Sequence, residues 1–344
     1  MRSQPQPRFP MPFPSRLNPH LDRARTRAGA WAHRMGMFDP EYGARPGRWS
    51  ERTFEQADFP LFIALTHPDA EADELDLVTA WHLALWFLDD LFLPLHRHDH
   101  ASDVAQVDRL MTFLPLDGFT RLPRPGTPVE RAFAELWPRT AATMGPAWRE
   151  RFIGSVRSFL DGMLWELAHV DHAVTDLVEY LGARRDFGGL RFTAVLMEHA
   201  NGELHPGLLC DREVRTAVDA FVDAVSLHND IVSYDRERGE GTVGNNGVEV
   251  ARRSLGLGLA DATALVNDLL TARVNTLARA GAAVPPGARP FVASLQEALA
   301  GSYRWHERTG RFRQPPDRVP APAWGAPQGL GTSAVRLFQH APRN

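Results

Sequence analysis

Apolar side chains recur every three or four residues along most of this chain, and that spacing admits helices and little else. In 150–170, Phe152, Val156, Phe159, Leu160, Met163, Leu164 and Leu167 fall on one face of a helical period. Val214, Val218, Phe221, Val222 and Val225 do the same, as do Leu265, Leu269 and Leu270 through Val274 and Leu277, with Asp261 the expected N-cap. There is no series of alternating strands, no repeat period and no hairpin signal between β-rich runs. Breaks are expected at GFTRLPRPGTP (118–128), ARRDFGG (183–189), RGEGTVGNNG (238–247) and AGAAVPPGARP (280–290), each rich in Gly or Pro or closed by a Gly pair. The expected fold is all-α: one large helical domain over 15–312. A proline-punctuated arm (1–14) precedes it, and a tail (313–344) too rich in proline for a long helix follows.

Composition narrows the function classes. With 44% hydrophobic and 23% charged residues in 344, the chain reads as a globular protein. Its net charge of −4 gives no general attraction to nucleic acid or to an anionic membrane. The single cysteine, Cys210, excludes an internal disulfide framework and suits a reducing cytoplasm. No apolar run is long enough for stable membrane insertion, and MRSQPQPRFPMPFPSR lacks the apolar core of a signal peptide. Nine tryptophans and nineteen phenylalanines against four tyrosines favour aromatic surface without hydroxyls, as a dry pocket requires.

Two polar segments interrupt this pattern. In HNDIVSYDRE (228–237), Asn229, Ser233 and Glu237 are spaced by four residues and so stack on one helix face. Such an oxygen ladder is either a stripe on a solvated helix or half of a site for a hard cation such as Mg²⁺. Upstream, TAWHLALWFLDDLFLPLH (79–96) reads as an apolar helix that ends in Asp89 and Asp90, with Pro94 close behind. Paired acids there are either an exposed helix end or, neutralised by metal, the mouth of a pocket lined by residues such as Leu85, Trp86 and Phe92.

Together these segments resemble the bacterial class I terpene synthases, in which an aspartate-rich motif and an NDxxSxxxE motif face each other across a helical bundle. NDIVSYDRE (229–237) matches the second motif at every defined position. EYLGARRDFGG (179–189) is similar to the family's diphosphate-sensor segment, with Arg184 as the sensing arginine, Arg185 beside it, and Phe187 and Gly188 at the helix break. In YRWHERTGRF (303–312), Arg311 and Phe312 stand where the family has an Arg-Tyr pair. Segments 15–37, 66–81 and 320–334 further resemble the N-terminal, germacradienol-forming half of geosmin synthases. Two departures stand out: Leu93 and Pro94 occupy the candidate positions of a third acid, and residue 312 lacks the tyrosine hydroxyl, a hydrogen bond worth roughly 0.5–1.5 kcal/mol.

The resemblance implies a single-domain class I bundle with a central active-site cavity, three Mg²⁺ ions and a prenyl diphosphate substrate. Metal would be held by Asp89 and Asp90 on one wall and by Asn229, Ser233 and Glu237 on the other. Arg184, Arg236 and Arg311 would bind the departing diphosphate through their planar guanidinium forks. For Arg236 a surface helix ion pair is an equal alternative. Diphosphate loss leaves an allylic cation that aromatic faces stabilise by roughly 0.5–2 kcal/mol each. Candidate faces are Trp86, Phe92, Phe187 and Trp305, any one of which taken singly is ordinary core. The implied reaction is cyclisation of farnesyl diphosphate to a sesquiterpene hydrocarbon or alcohol. C10, methylated C10 and C20 diphosphates are alternative substrates, and an impaired diphosphate-binding homologue is the non-enzymatic alternative. A cytoplasmic location, and a homodimer as a family expectation, complete the picture. The run HRHDH (96–100) reads as a solvated loop; no phosphate-binding loop or nucleophile elbow is present, and His82 reads as a satisfied core histidine.

Overall fold

In a computed structural model, the described residues are 9, 11–40, 49–95, 100–117, 120–169, 174, 176–240 and 243–312, with the backbone alone for 91–95, 100, 101, 240 and 312. The arm's first residues, the tail from 313 and most of HRHDH therefore lie outside them. Among the described residues all regular structure is helical. In chain order the α-helices are α1 (Leu21–Met35), α2 (Glu51–Ala57), α3 (Phe59–Thr66), α4 (Ala72–Leu95), α5 (His100–Met111), α6 (Pro128–Ala141) and α7 (Pro146–Ala168). They continue with α8 (Leu177–Phe187), α9 (Leu190–Asn201), the single turn α10 (Pro206–Leu209), α11 (Arg212–Glu240), α12 (Gly247–Leu255), α13 (Leu259–Ala283) and α14 (Arg289–Arg308).

The second half of α4 is buried on every side from Leu77 to Asp90, as a helix apolar all round must be. Helix α3, FPLFIALT, is likewise buried at all its positions. Two large hydrophobic cores result, with a small third around Tyr180 and Phe187. One gathers α1, α3, α4, α6 and α7 around Trp81, Phe133 and Phe152. The other gathers α11, α13 and α14 around Phe221, Leu270 and Leu295. Helices α9 and α14 give residues to both, so the seam between the cores runs along them.

Two local expectations need correcting. Helix α4 does not stop at the aspartates but continues to Leu95. Pro94 lacks only the N–H that would reach the carbonyl four residues back, a loss the last turn of a helix tolerates. Helix α13 begins at Leu259 with Gly258 as N-cap, which puts Asp261 inside the first turn instead of at the cap. A carboxylate there still meets the positive end of the helix dipole. The other breaks fall as expected: α8 closes at Gly188 and Gly189, and α13 and α14 flank the Pro286–Ala288 turn.

Candidate active site

The seam holds the polar residues singled out above. Asp89 and Asp90, at the deep end of α4, are fully buried, as are Ser233 and Glu237 on α11; Asn229 is 7% exposed. Arg184 lies in the last turn of α8, and Arg311 in the short turn after α14; both are buried. The two walls act on each other: the Arg311 guanidinium lies in the field of Asp90, Arg236, Asp89 and Glu237. Acids of α4 and Glu237 of the α11 ladder therefore lie close enough to act on one buried cation.

The α11 wall is closely cross-braced. Arg184 donates from Nε and Nη2 to Asp230 Oδ1 at 3.2 and 3.1 Å, and from Nη2 to Asn229 Oδ1 at 3.2 Å. The Tyr180 hydroxyl donates to Asp230 Oδ2 at 2.7 Å, and the Gly247 amide donates to the same oxygen at 3.2 Å. A Cβ at residue 247 would stand 2.7 Å from that oxygen, so α12 can approach only because residue 247 is glycine. Ser233 donates its proton to the Asn229 carbonyl at 2.7 Å, leaving hydroxyl lone pairs for a cation. Asn246 N-caps α12 with its Oδ1 and, through Nδ2, donates to Glu237 Oε2 at 3.0 Å.

The α4 wall differs. Trp49 Nε1 donates to Asp90 Oδ2 at 2.9 Å. Arg311 stands over the Phe59 ring at 5.3 Å, and none of its three guanidinium nitrogens bonds to a described residue. Burial, opposed by Asp90, brings its pKa down to about 9, so it stays charged at neutral pH. Arg236 is partly buried on α11 and donates to the Arg311 carbonyl at 3.4 Å.

Electrostatics mark this hollow as short of positive charge. Burial pushes the Glu237 carboxyl up to about 7. Burial, reinforced by Asp89, holds Glu166 well above the usual carboxylate range. Glu166 is fully buried on α7, and neither of its oxygens bonds to a described residue. Around Arg184, burial opposes the charge, but Asp230, Tyr180 and Glu166 prevail and its pKa is raised. Among the described residues no three His, Cys, Asp or Glu side chains form a ready-made metal cluster. The oxygens of Asp89, Asn229, Ser233 and Glu237 are donors of the kind that suits Mg²⁺, which takes one or two carboxylates and completes its shell with water and substrate phosphate oxygens. The unpartnered Arg311 donors fit the same polyanion.

Below the acids lies a cavity of about 30 Å³. Of the expected lining, Trp86, Gly188 and Trp305 border it, together with Arg184 and Asn229. Phe62, Trp86 and Trp305 form an aromatic cluster, with centroids of Phe62 5.4 Å from Trp86 and 5.3 Å from Trp305. Leu85 and Phe187 are fully buried in the surrounding core and do not border this cavity. Phe187 carries the Arg184 guanidinium over its ring at 5.1 Å. The side chain of Phe92 falls outside the described set. His82 bonds through Nδ1 to the Val78 carbonyl at 2.9 Å and through Nε2 to Thr193 Oγ1 at 3.1 Å, a satisfied core histidine.

Sequence reasoning missed Glu166, Tyr180, Asp230 and Asn246. Glu166 was legible in principle, since it shares a helix face with Phe159 and Met163, where an acid is out of place. Nothing in the spacing announces the partners of Asp230, which come from α8 and α12.

Solved structures share this all-helical fold. The structure of hedycaryol synthase in complex with HEPES matches with a TM-score of 0.72 at 26% identity, covering 89% of this chain and 99% of that one. The family model "Terpene synthase family 2, C-terminal metal binding" matches residues 80–276, and the chain belongs to that family. Among its relatives, 7-epi-alpha-eudesmol synthase ((2E,6E)-farnesyl diphosphate cyclizing) of Streptomyces viridochromogenes is 28% identical, over 89% of this chain and 91% of its own length. Pristinol synthase of Streptomyces pristinaespiralis is also 28% identical, over 88% and 83%. No helix among the described residues is long and apolar enough to cross a membrane.

Proposed function

We propose that this chain is a Mg²⁺-dependent sesquiterpene cyclase that ionises farnesyl diphosphate and cyclises the resulting cation. The reading is carried by one observation: the buried acids of α4, Glu237 of the α11 ladder and Arg236 lie within electrostatic reach of the buried Arg311, beside a cavity that Trp86, Arg184 and Asn229 border. The family match and the farnesyl diphosphate-cyclising relative support the substrate class. The closer likeness to geosmin synthases rests on segments 15–37, 66–81 and 320–334 alone. A cytoplasmic location belongs to the same reading.

In it, Asp89, with Asp90 beside it, and Asn229, Ser233 and Glu237 hold the metal, for which three ions are the expectation. Bound Mg²⁺ supplies Lewis-acid stabilisation of the leaving diphosphate. Arg184, Arg236 and Arg311 donate charge-assisted hydrogen bonds to its oxygens, strongest in the buried setting they occupy. Trp86 and Trp305 face the cation without offering it a nucleophile. The cavity of about 30 Å³ is far below the roughly 300–1,000 Å³ of ordinary ligand pockets and by itself holds no prenyl chain.

The test is incubation of the purified protein with Mg²⁺ and the C10, C15 and C20 diphosphates separately, with volatile products and released diphosphate both measured. A cyclic C15 product is expected. Longer linear diphosphates on adding isopentenyl diphosphate would mean chain elongation instead. A second reading, an impaired diphosphate-binding homologue, is favoured by Leu93 and Pro94 in place of a third acid and by Phe312. Binding of diphosphate without turnover on any substrate would select it.

A further inference from the structure

Two hydroxyls in the cavity wall are used by nothing described so far. Ser226 on α11 and Ser302 on α14 both border the cavity, and each is 2% exposed. Neither Oγ has a hydrogen-bond partner among the described residues. Several buried helical hydroxyls elsewhere turn back onto their own helix: Thr66 to the Phe62 carbonyl at 3.0 Å, Thr140 to Leu136 at 2.9 Å, Ser233 to Asn229 at 2.7 Å; Thr79, away from the cavity, is another that bonds to no described residue. Ser226 and Ser302 make no such bond. A buried hydroxyl left unsatisfied is costly, and water is the usual remedy where the site is polar and roomy enough.

Their surroundings meet that condition. His306, one turn beyond Ser302, also borders the cavity and donates from Nδ1 to the Ser302 carbonyl at 2.7 Å. That bond fixes the tautomer, so Nε2 is an acceptor, and it faces Asn229 Nδ2 at 3.3 Å. Ser226, Ser302, Asn229 and His306 thus form a polar strip along α11 and α14, facing the aromatic side made by Phe62 and Trp86. A volume of about 30 Å³ has room for a water, which needs roughly 10–15 Å³ by this measure.

We infer that Ser226 and Ser302 hold a water in the cavity that captures the carbocation, so that the product of this enzyme is a terpene alcohol. The inference rests on the proposed ionisation of a prenyl diphosphate. Its chemistry balances without any oxidant. The allylic C–O bond breaks with both electrons leaving on diphosphate. A lone pair of the water oxygen then forms the new C–O bond at a cationic carbon. The resulting oxonium loses its proton to the diphosphate, which departs singly protonated. In this scheme the serines are positioning residues, since they orient the water and neither gains nor loses a bond to carbon.

The experiment runs the Mg²⁺-loaded enzyme on farnesyl diphosphate in H₂¹⁸O and reads three quantities: diphosphate release, the alcohol-to-hydrocarbon ratio, and the ¹⁸O content of the alcohol. The wild type is expected to give mainly an alcohol labelled from solvent. In Ser226→Ala/Ser302→Ala the alcohol share should fall by up to about tenfold in favour of hydrocarbon, whatever the total rate, a change within reach of lost hydrogen bonds. Ser302→Thr should retain more alcohol than the near-isosteric Ser302→Val, which separates hydroxyl from shape. A high-resolution crystal structure should show an ordered water bonded to both hydroxyls, a readout independent of turnover. Diphosphate release with only hydrocarbon from the wild type, or an unchanged ratio in the double variant, would overturn the inference and leave the cyclase reading intact. Absence of diphosphate release from every prenyl substrate would overturn both.

Discussion

The two rims of the hollow solve the same electrostatic problem in opposite ways. On the α11 rim, Arg184, Asn229, Asp230, Ser233 and Glu237 are braced by Tyr180, Gly247 and Asn246 from neighbouring helices. On the α4 rim, Arg311 is buried with no described hydrogen-bond partner on its guanidinium. A braced wall is preorganised and pays for its order when the protein folds. A wall holding a cation with free hydrogen-bond donors has room for an anion that brings acceptors to them. The contrast suits a site that must bind diphosphate and close upon it, and it can be attacked experimentally.

The largest effect is expected on the braced rim. Asn229→Ala or Glu237→Ala should lower diphosphate release by about 100-fold or more, the scale seen when a charge-stabilising group is lost. Helical circular dichroism should be retained. Wild-type turnover in both variants would remove the ladder from the metal site and end the contrast.

Next comes stability. Arg184→Met strands Asp230 without its guanidinium and should cost about 3–5 kcal/mol in urea unfolding, as removing one partner of a buried pair does. Arg311→Met strands no such partner and should cost far less, while still impairing diphosphate binding. Equal losses would mean that the two arginines are anchored alike.

Within the α4 rim, Asp89→Asn should raise the Mg²⁺ concentration needed for half-maximal rate more than Asp90→Asn does, by about tenfold. Asp90 already accepts from Trp49, an interaction an amide oxygen can keep. A titration of rate against Mg²⁺ decides this.

A further effect concerns pH. In the metal-free protein Glu237 titrates at about 7, above its ordinary value of 4.5, because burial disfavours the carboxylate; Glu166 is displaced the same way. The folded state thus holds protons that the unfolded chain releases between those values. The contribution is complete below about 4.5 and is lost as pH rises to about 7. Urea midpoints at pH 5 and 8 in chelator should show this decline, and Glu237→Gln should reduce it. A flat profile would mean that the acids are less desolvated than the geometry implies.

How much of this was readable beforehand depended on whether the signal was local. Periodicity gave the helices because an apolar stripe is a property of neighbouring residues, and α7, α11 and α13 lie where it placed them. The ladder was legible for the same reason: four-residue spacing is helix geometry written in the chain. The end of α4 was misjudged because one proline was read as a stop, where a last turn accommodates it.

By itself the sequence determined the helical class, the breaks at Gly and Pro, and the candidate residues for metal and diphosphate, since each follows from local spacing and side-chain chemistry. The tertiary structure alone decided that Glu166 of α7 comes within electrostatic reach of both Asp89 and Glu237, and that Ser226 and Ser302 line the same cavity. Those facts depend on how α4, α7, α11 and α14 pack across the seam of two cores. Packing is settled by the complementary shapes of whole helix faces, which no spacing within one segment records.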